Sequence, residues 1–203
     1  MTARETSGGV IVLLFGDRPI PRALAALRAV RLAAGEAPTV PEGTGRLIVV
    51  GAHTDLAAVL GALLRADRLD VEVGVVTSRW GSARRARDGA AQRVPLIRDE
   101  SATVIVRSAR WLPSDGAAIT GEAIVDDAVL FDGTCAGIEI EPLDTAPGLR
   151  ARPIGGGPRS WAAGRAAQLG STGALVERDG VAAPRPVRRS AFYRNVQGWL
   201  RVG

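Results

Sequence analysis

Lysine is absent from this sequence, and histidine and cysteine occur once each, as His53 and Cys135. Without lysine there can be no Walker A lysine, no Schiff-base lysine and no protein-kinase strand lysine. One histidine and one cysteine exclude a His-Glu-x-x-His zinc protease, a multi-cysteine zinc site and a disulfide framework. A Ser-His-Asp or Cys-His triad would have to use His53, and no Gly-x-Ser-x-Gly elbow accompanies it. The sequence therefore excludes most common catalytic sites and predicts no metal centre of the protein's own.

Long apolar runs are also missing. No segment approaches about eighteen consecutive apolar residues, so the sequence predicts no transmembrane segment. Met1 to Gly9 is polar, and the apolar run Val10–Phe15 is too short for the core of a signal peptide. With a single cysteine and no secretion signal, we expect a cytoplasmic protein.

All 26 basic residues are arginine, which together with abundant alanine and glycine is typical of a GC-rich, for example actinobacterial, genome. The formal net charge of +5 favours acidic partners such as nucleotides or anionic lipids. Two segments concentrate this charge. The first could bind phosphate through guanidinium groups or could be a solvated helix face, and it contains Arg79, Arg84, Arg85 and Arg87.

The second basic segment lies near two aromatic residues, Phe192 and Tyr193, and contains Arg185, Arg188, Arg189 and Arg194. Such a segment could follow a nucleic acid or an anionic membrane surface. Aromatic residues make up only 4% of the chain, so stacking platforms for bases are scarce. Nucleic acid is therefore not the expected partner.

The first half of the chain, residues 1–95, alternates apolar strands with alanine-leucine helices. Three buried strands are predicted at Gly9–Phe15, Arg46–Gly51 and Val71–Val76. Helical spacing from Pro21 through Ala34 predicts a first helix, and Thr54 or Asp55 is the expected cap of a second. A short arginine-rich helix should follow the third strand. Repeated strand-helix units require parallel pairing, so we expect an α/β parallel-sheet unit.

The second half, residues 96–203, has short alternating strands separated by Gly, Pro and Asp turns. The strands are predicted at Ala102–Arg107, Glu122–Val125, Ala128–Phe131 and Gly137–Glu141. Leu175–Arg178 followed by Asp179-Gly180 and Val181 predicts a hairpin. We therefore expect an antiparallel β-sandwich domain, closed by the C-terminal stretch from Phe192 to Val202.

Ligands of parallel α/β sheets collect at the carboxyl ends of the strands, where loops and helix N-termini present free N–H groups. Three loops occupy such positions: Gly16–Pro19, Gly51–Asp55 and Thr77–Ala83. The order of a strand, Gly51-Ala52-His53-Thr54-Asp55, a helix, a strand and then Gly81-Ser82 resembles the catalytic domain of diacylglycerol and other lipid kinases, which are grouped with NAD kinases. Arg178-Asp179-Gly180 and the closing Gly198-Trp199-Leu200-Arg201-Val202 resemble the C-terminal β-domain of that family.

The resemblance implies a phosphate-binding site at Gly51, His53, Thr54, Gly81, Ser82 and Arg84. It also implies ATP and Mg²⁺ as cofactors if the chain is an active kinase. The family's Gly-Gly-Asp-Gly-Thr signature, however, is Gly51-Ala52-His53-Thr54-Asp55 here, and its Asp-Gly-Glu is Asp179-Gly180-Val181. Ala37–Val40 is the only candidate for the family's second strand.

Three hypotheses follow from these matches and departures. The leading one is a degenerate lipid-kinase-like protein that acts as a non-catalytic binding or regulatory module for a phosphate-bearing ligand or a protein partner. The second is an active lipid kinase that holds magnesium with Asp55 and Asp179, the two candidate catalytic carboxylates. The third is a structural interaction protein without a ligand site.

Overall fold

The computed structural model describes residues 9–77, 81–116, 118–157 and 160–203. The chain divides into two compact units, one comprising the residues up to Val94 together with Gly198–Gly203, and the other Pro95–Gln197. The first unit carries a six-stranded mixed sheet with helices, and the second a large antiparallel sheet. The predicted fold class, an α/β unit followed by an antiparallel β-sandwich, is confirmed.

The central strands of unit 1 are rich in Val, Leu and Ile and largely buried, and the two edge strands are more exposed. In chain order its elements are β1 (Gly9–Phe15), β2 (Arg28–Leu32), β3 (Thr44–Val50), α1 (His53–Arg65), β4 (Glu72–Val75), α2 (Ser82–Asp88), β5 (Ala91–Val94) and β17 (Trp199–Val202). The strand order is β2-β1-β3-β4-β17-β5. All neighbouring pairs are parallel except β17 with β5. Five strands thus present their carboxyl ends at one edge.

The expected helix from Pro21 to Ala34 is wrong. A short 3-10 turn spans Arg22–Leu24, and Arg28–Leu32 is a strand that pairs in parallel with β1. Leu24 and Leu27 pack in a cluster with residues of β1 and β3. The apolar residues that suggested one helix therefore belong to the 3-10 turn and its following loop and to strand β2. Pairing with a buried strand outweighs the helix propensity of this alanine-rich segment, because tertiary contacts commonly override the small differences in propensity. The proposal of Ala37–Val40 as a second strand is wrong for the same reason, because β2 holds that place.

The prediction of Thr54 or Asp55 as the N-cap of the second helix is wrong, because helix α1 begins before both residues. It begins at His53 with Ala52 at the N-cap position, and Leu56, Val59, Leu60 and Leu63 are buried along one face. Helix α2 packs closely on β4: a Cβ at Gly74 would lie 2.6 Å from the carbonyl oxygen of Ala86. Helix α1 thus buries one apolar face, and its N-terminus follows directly after the end of β3.

Unit 2 consists of antiparallel strands of alternating burial. Its strands are β6 (Ile97–Asp99), β7 (Val104–Ile105), β8 (Ala109–Pro113), β9 (Ile119–Val125), β10 (Ala128–Cys135), β11 (Ile138–Pro142), β12 (Leu149–Pro153), β13 (Ala162–Gly164), β14 (Ala166–Arg178), β15 (Val181–Ala182) and β16 (Val187–Arg194). The predicted hairpin around Asp179-Gly180 is confirmed as β14 with β15.

The long strand β14 folds this sheet over on itself. Its first half pairs with β9 and its second half with β8, and the register against β16 shifts between Gly170 and Ala174. The interior is filled by a cluster that includes Trp111, Ile119 and Phe192. The expected closing of this unit by the whole stretch from Phe192 to Val202 is wrong in its last part, because Trp199–Val202 pairs with β4 and β5 of unit 1. No helix among the described residues is long and apolar enough to cross a membrane.

Candidate functional site

A pocket of about 500 Å³ opens in unit 1 where β1, β3 and β4 end. Because these strands are parallel, their carboxyl ends meet at one edge, where α/β sheets bind ligands. We call it the strand-end pocket. The described residues that line it are Arg18, Pro19, Val50, Gly51, Ala52, His53, Leu56, Val75, Val76 and Thr77.

The first wall is the loop after β1. Gly16 turns the chain in the left-handed region, at φ +64°, which glycine adopts without steric cost. The Arg31 guanidinium, on the neighbouring strand β2, donates to the carbonyl oxygens of Gly16 and Arg18, the latter at 3.2 Å. Arg31 thus holds the loop so that the exposed Arg18 side chain is at the pocket.

The second wall is the turn from β3 into α1, where Gly51 must be glycine for space. A Cβ there would lie 2.5 Å from Oδ2 of Asp55. That carboxylate is 3% exposed and accepts the backbone N–H of Ala52 at 2.6 Å and of Gly35 at 2.7 Å. Asp55 therefore ties the start of α1 to the loop after β2.

The first turn of α1 supplies positive potential to the pocket. Hydrogen bonding inside the helix starts with Leu56 N–H, which donates to the Ala52 carbonyl at 3.2 Å. The N–H groups of His53, Thr54 and Asp55 therefore have no acceptor within the helix, and the helix dipole places partial positive charge there. Among the predicted phosphate-binding residues, Gly51 and His53 line the pocket, and Thr54 is the next residue on the same turn.

The third wall is the end of β4, at Val75, Val76 and Thr77. The buried Ser82 hydroxyl donates to the Thr77 carbonyl at 2.7 Å, so it supports this wall from α2. Gly81, Ser82 and Arg84 are not among the described residues that line the pocket. Arg79 of the predicted arginine cluster lies outside the described residues.

The remaining members of that cluster are on α2. Arg87 pairs with Asp88 and also donates to the Ala23 carbonyl at 2.7 Å. The hydrogen bond from Arg87 lowers the pKa of the Asp88 carboxyl, and the same bond raises the pKa of Arg87. Arg84 and Arg85 are exposed. The pattern is that of a solvated helix face with one ion pair.

Asp179, the other candidate catalytic residue, belongs to unit 2 and also binds backbone groups. It occupies a left-handed turn conformation at φ +49°. Its carboxylate accepts the N–H groups of Val106, Arg107 and Ser108, with shortest distances of 3.0, 2.7 and 3.0 Å. In this role it fixes the chain before β8.

These contacts test whether the two carboxylates suit a magnesium ion. Mg²⁺ needs oxygen ligands that can take part in an octahedral shell and usually keeps several waters. Asp55 is nearly inaccessible to water, and both its oxygens are taken up by backbone donors. No cluster of three or more metal-ligating side chains is found among the described residues. Neither Asp55 nor Asp179 is therefore placed to hold a magnesium ion.

The aromatic residues of the second basic segment are engaged inside unit 2. Phe192 is fully buried next to Trp111, with ring centroids 5.9 Å apart. The Tyr193 ring lies under the Arg98 guanidinium at 4.5 Å, and its hydroxyl accepts a hydrogen bond from Arg98 at 2.6 Å. Neither ring presents a stacking surface for a base.

Comparison with known proteins finds a similar fold in solved structures but no match by sequence. No family model and no curated protein matches the chain. An NAD kinase from Archaeoglobus fulgidus, solved in complex with ATP, superimposes with a TM-score of 0.66 over 96% of this chain and 93% of that one, at 12% identity. A diacylglycerol kinase from Bacillus anthracis superimposes with a TM-score of 0.63 over 96% of both chains, at 10% identity. The chain therefore has the fold of these two solved kinases, as the resemblance predicted.

Sequence reasoning identified the three strand-end loops but missed most of the residues that line the pocket. Arg18 and Pro19 were within a predicted ligand loop, and their place directly after a buried strand was the available signal. The aliphatic floor of Val50, Leu56, Val75 and Val76 carried no signal, because such residues are equally expected in a core.

Proposed function

We propose that this chain is a non-catalytic binding module for a phosphate-bearing ligand, with the strand-end pocket as its site. The observation that carries the proposal is the asymmetry of that pocket. Its described lining includes the first turn of a helix, an arginine and a histidine, and it includes no carboxylate. A site of this charge attracts anions, and its described lining offers no carboxylate to a magnesium ion.

Two parts of a nucleotide match two parts of the pocket. Phosphate oxygens suit free N–H groups at a helix start, and guanidinium groups bind phosphate with two parallel hydrogen bonds. The apolar part of the ligand would lie on Val50, Leu56 and Val76, which form an aliphatic surface. The volume of about 500 Å³ is within the range of small-molecule sites. A nucleotide is therefore the first ligand to test, and a cytoplasmic location would give access to it.

The catalytic alternative requires carboxylates that are free to act. Phosphoryl transfer needs a held metal ion and a group that orients the attacking hydroxyl. Asp55 and Asp179 each accept two or more backbone N–H groups. We infer that the role of both residues is structural. The protein would be regulatory if binding of the ligand in the strand-end pocket changed its affinity for a protein partner.

Isothermal titration with ATP, pyrophosphate and adenosine tests the proposal. ATP and pyrophosphate should bind, and adenosine should bind at least tenfold more weakly than ATP, because each charge-assisted hydrogen bond contributes about 1.5–3 kcal/mol. Arg18→Gln should weaken ATP binding about tenfold or more. Arg22→Gln is the matched control, since Arg22 is an exposed arginine outside the pocket lining, and it should leave affinity unchanged.

Magnesium separates binding from catalysis. Because the pocket lining has no carboxylate, ATP should bind at least as tightly in EDTA as in Mg²⁺. Equal affinity for adenosine and ATP would contradict phosphate recognition. Magnesium-dependent transfer of phosphate from ATP to diacylglycerol would establish the kinase instead, and no binding of any phosphate compound would favour the structural protein.

A further inference from the structure

The connection from β2 to β3 has no helix. Connections between parallel strands usually carry a helix that covers one face of the sheet. Every residue of this connection, 33–43, is described by the structure, and the segment contains only turns and extended chain. Within its middle part, 36–41, Pro38 alone is buried. The face of the sheet at β1 and β2 is therefore covered by a loop.

Between this loop and the sheet lies an apolar groove of about 340 Å³, here called the edge groove. Its floor is Ile11, Leu13 and Leu47, which are 5%, 3% and 1% exposed. Val30 and Leu32 of β2 form a side wall, and the loop residues from Ala37 to Pro41 form the roof. Strand β2 is the edge of the sheet, so the groove runs along an open side of the unit.

Strand register gives the groove a direction. Ile11 pairs with Arg28, and Leu13 pairs with Val30, so Arg28 lies at the amino end and Leu32 at the carboxyl end. With a rise of about 3.3 Å per residue, Arg28 and Leu32 are about 13 Å apart along the strand. The groove is thus long and narrow.

The two ends of the groove differ in charge. Arg28 is exposed, and within the described part of the chain its guanidinium has no hydrogen-bond or ion-pair partner. At the far end, the Glu36 carboxylate accepts the Ala33 N–H at 2.7 Å. An anionic group would therefore be attracted to the Arg28 end and repelled from the Glu36 end.

We propose that the edge groove binds a single-chain aliphatic carboxylate, with its carboxylate on Arg28 and its chain along Val30 and Leu32 beneath the loop. A partner helix, about 10–12 Å wide with its side chains, is a poor match to a narrow roofed groove of this volume. The site is separate from the strand-end pocket, because Arg28 lies at the amino edge of the sheet and that pocket lies at the carboxyl edge. The inference does not depend on the proposed function.

Titration of the full chain with octanoate, decanoate and dodecanoate, all below their micelle-forming concentrations, tests this site. Affinity should rise about fourfold for each added methylene until the groove is filled, because each buried methylene contributes a constant transfer free energy. Decan-1-ol should bind at least tenfold more weakly than decanoate. Arg28→Gln should remove that preference for the carboxylate while leaving the dependence on chain length.

Arg18→Gln provides the matched control. It should weaken ATP binding without changing decanoate binding, and Arg28→Gln should do the reverse, so failure of one site is distinguishable from failure of the other. An affinity that does not change with chain length, or a carboxylate preference that survives in Arg28→Gln, would overturn the assignment. A dimer in sedimentation that Val30→Glu converts to a monomer would give the groove to a second copy of the chain and overturn it as well.

Discussion

Replacing Asp55 with alanine should destabilise unit 1, because this buried carboxylate holds two backbone donors. The Ala52 and Gly35 N–H groups, at 2.6 and 2.7 Å, would lose the buried carboxylate that accepts them. Hydrogen bonds to charged groups contribute about 1.5–3 kcal/mol each, and part of that sum is offset by the desolvation of the carboxylate. We therefore expect a loss of about 2–4 kcal/mol in the free energy of unfolding.

Urea denaturation followed by circular dichroism at the helix band measures this loss, since both described α-helices belong to unit 1. Asp55→Asn keeps one carbonyl acceptor but sets an amide donor against the other N–H, so its loss should be intermediate. Asp17→Ala removes an exposed carboxylate from a loop of the same unit and is the control. If Asp55→Ala were no less stable than Asp17→Ala, the structural role of Asp55 would be refuted, and its carboxylate would be available for catalysis.

Three further substitutions test the packing that supports this description. Gly74→Ala should cost about 1–3 kcal/mol in urea denaturation, because its Cβ would lie 2.6 Å from the carbonyl of Ala86 and would push α2 off β4; an unchanged midpoint would contradict that contact. Gly121→Ala should prevent native folding of unit 2, measured by the fluorescence of its buried tryptophan, because Gly121 has φ +153° and a Cβ would lie 2.1 Å from the carbonyl of Gly170. Asp179→Ala removes the acceptor of three N–H groups, so it should lower the free energy of unfolding of unit 2 by about 2–4 kcal/mol in urea denaturation while leaving ATP affinity unchanged. Loss of ATP binding in a fully folded variant would argue against a purely structural role.

The strands of unit 1 were predictable where the chain is apolar on both faces. Gly9–Phe15 is a strand with the predicted bounds, because a short apolar run that contains β-branched residues and is followed by a glycine turn is typical of a strand buried on both faces. Strand β2 was not predictable. Arg28–Leu32 carries two arginines and one alanine, and only its pairing with β1 makes it a strand. Local sequence cannot show a preference that a neighbouring strand imposes.

The C-terminal strand shows a second limit of sequence reasoning. Trp199–Val202 follows the last strand of unit 2 by a few residues, so continuity along the chain predicted that it stays there. In the structure it lies between β4 and β5. Gly198 makes this possible, because a Cβ there would lie 2.2 Å from the Val94 carbonyl. The pairing partner of a four-residue strand is decided by such close contacts, which periodicity does not record.

The use of aspartate in this chain connects the fold with the proposed function. Asp99 is fully buried and accepts the N–H groups of Ser101 and Thr103 as well as the Arg178 guanidinium at 2.6 Å. Asp126 likewise accepts the N–H of Arg165, and Asp55 and Asp179 follow the same pattern. A carboxylate in such a position lowers the cost of burying backbone donors and is costly to remove, so it persists whether or not it ever held a metal ion. The presence of aspartates at positions 55 and 179 is therefore weak support for catalysis, because backbone donors account for both carboxylates without a metal ion or a substrate.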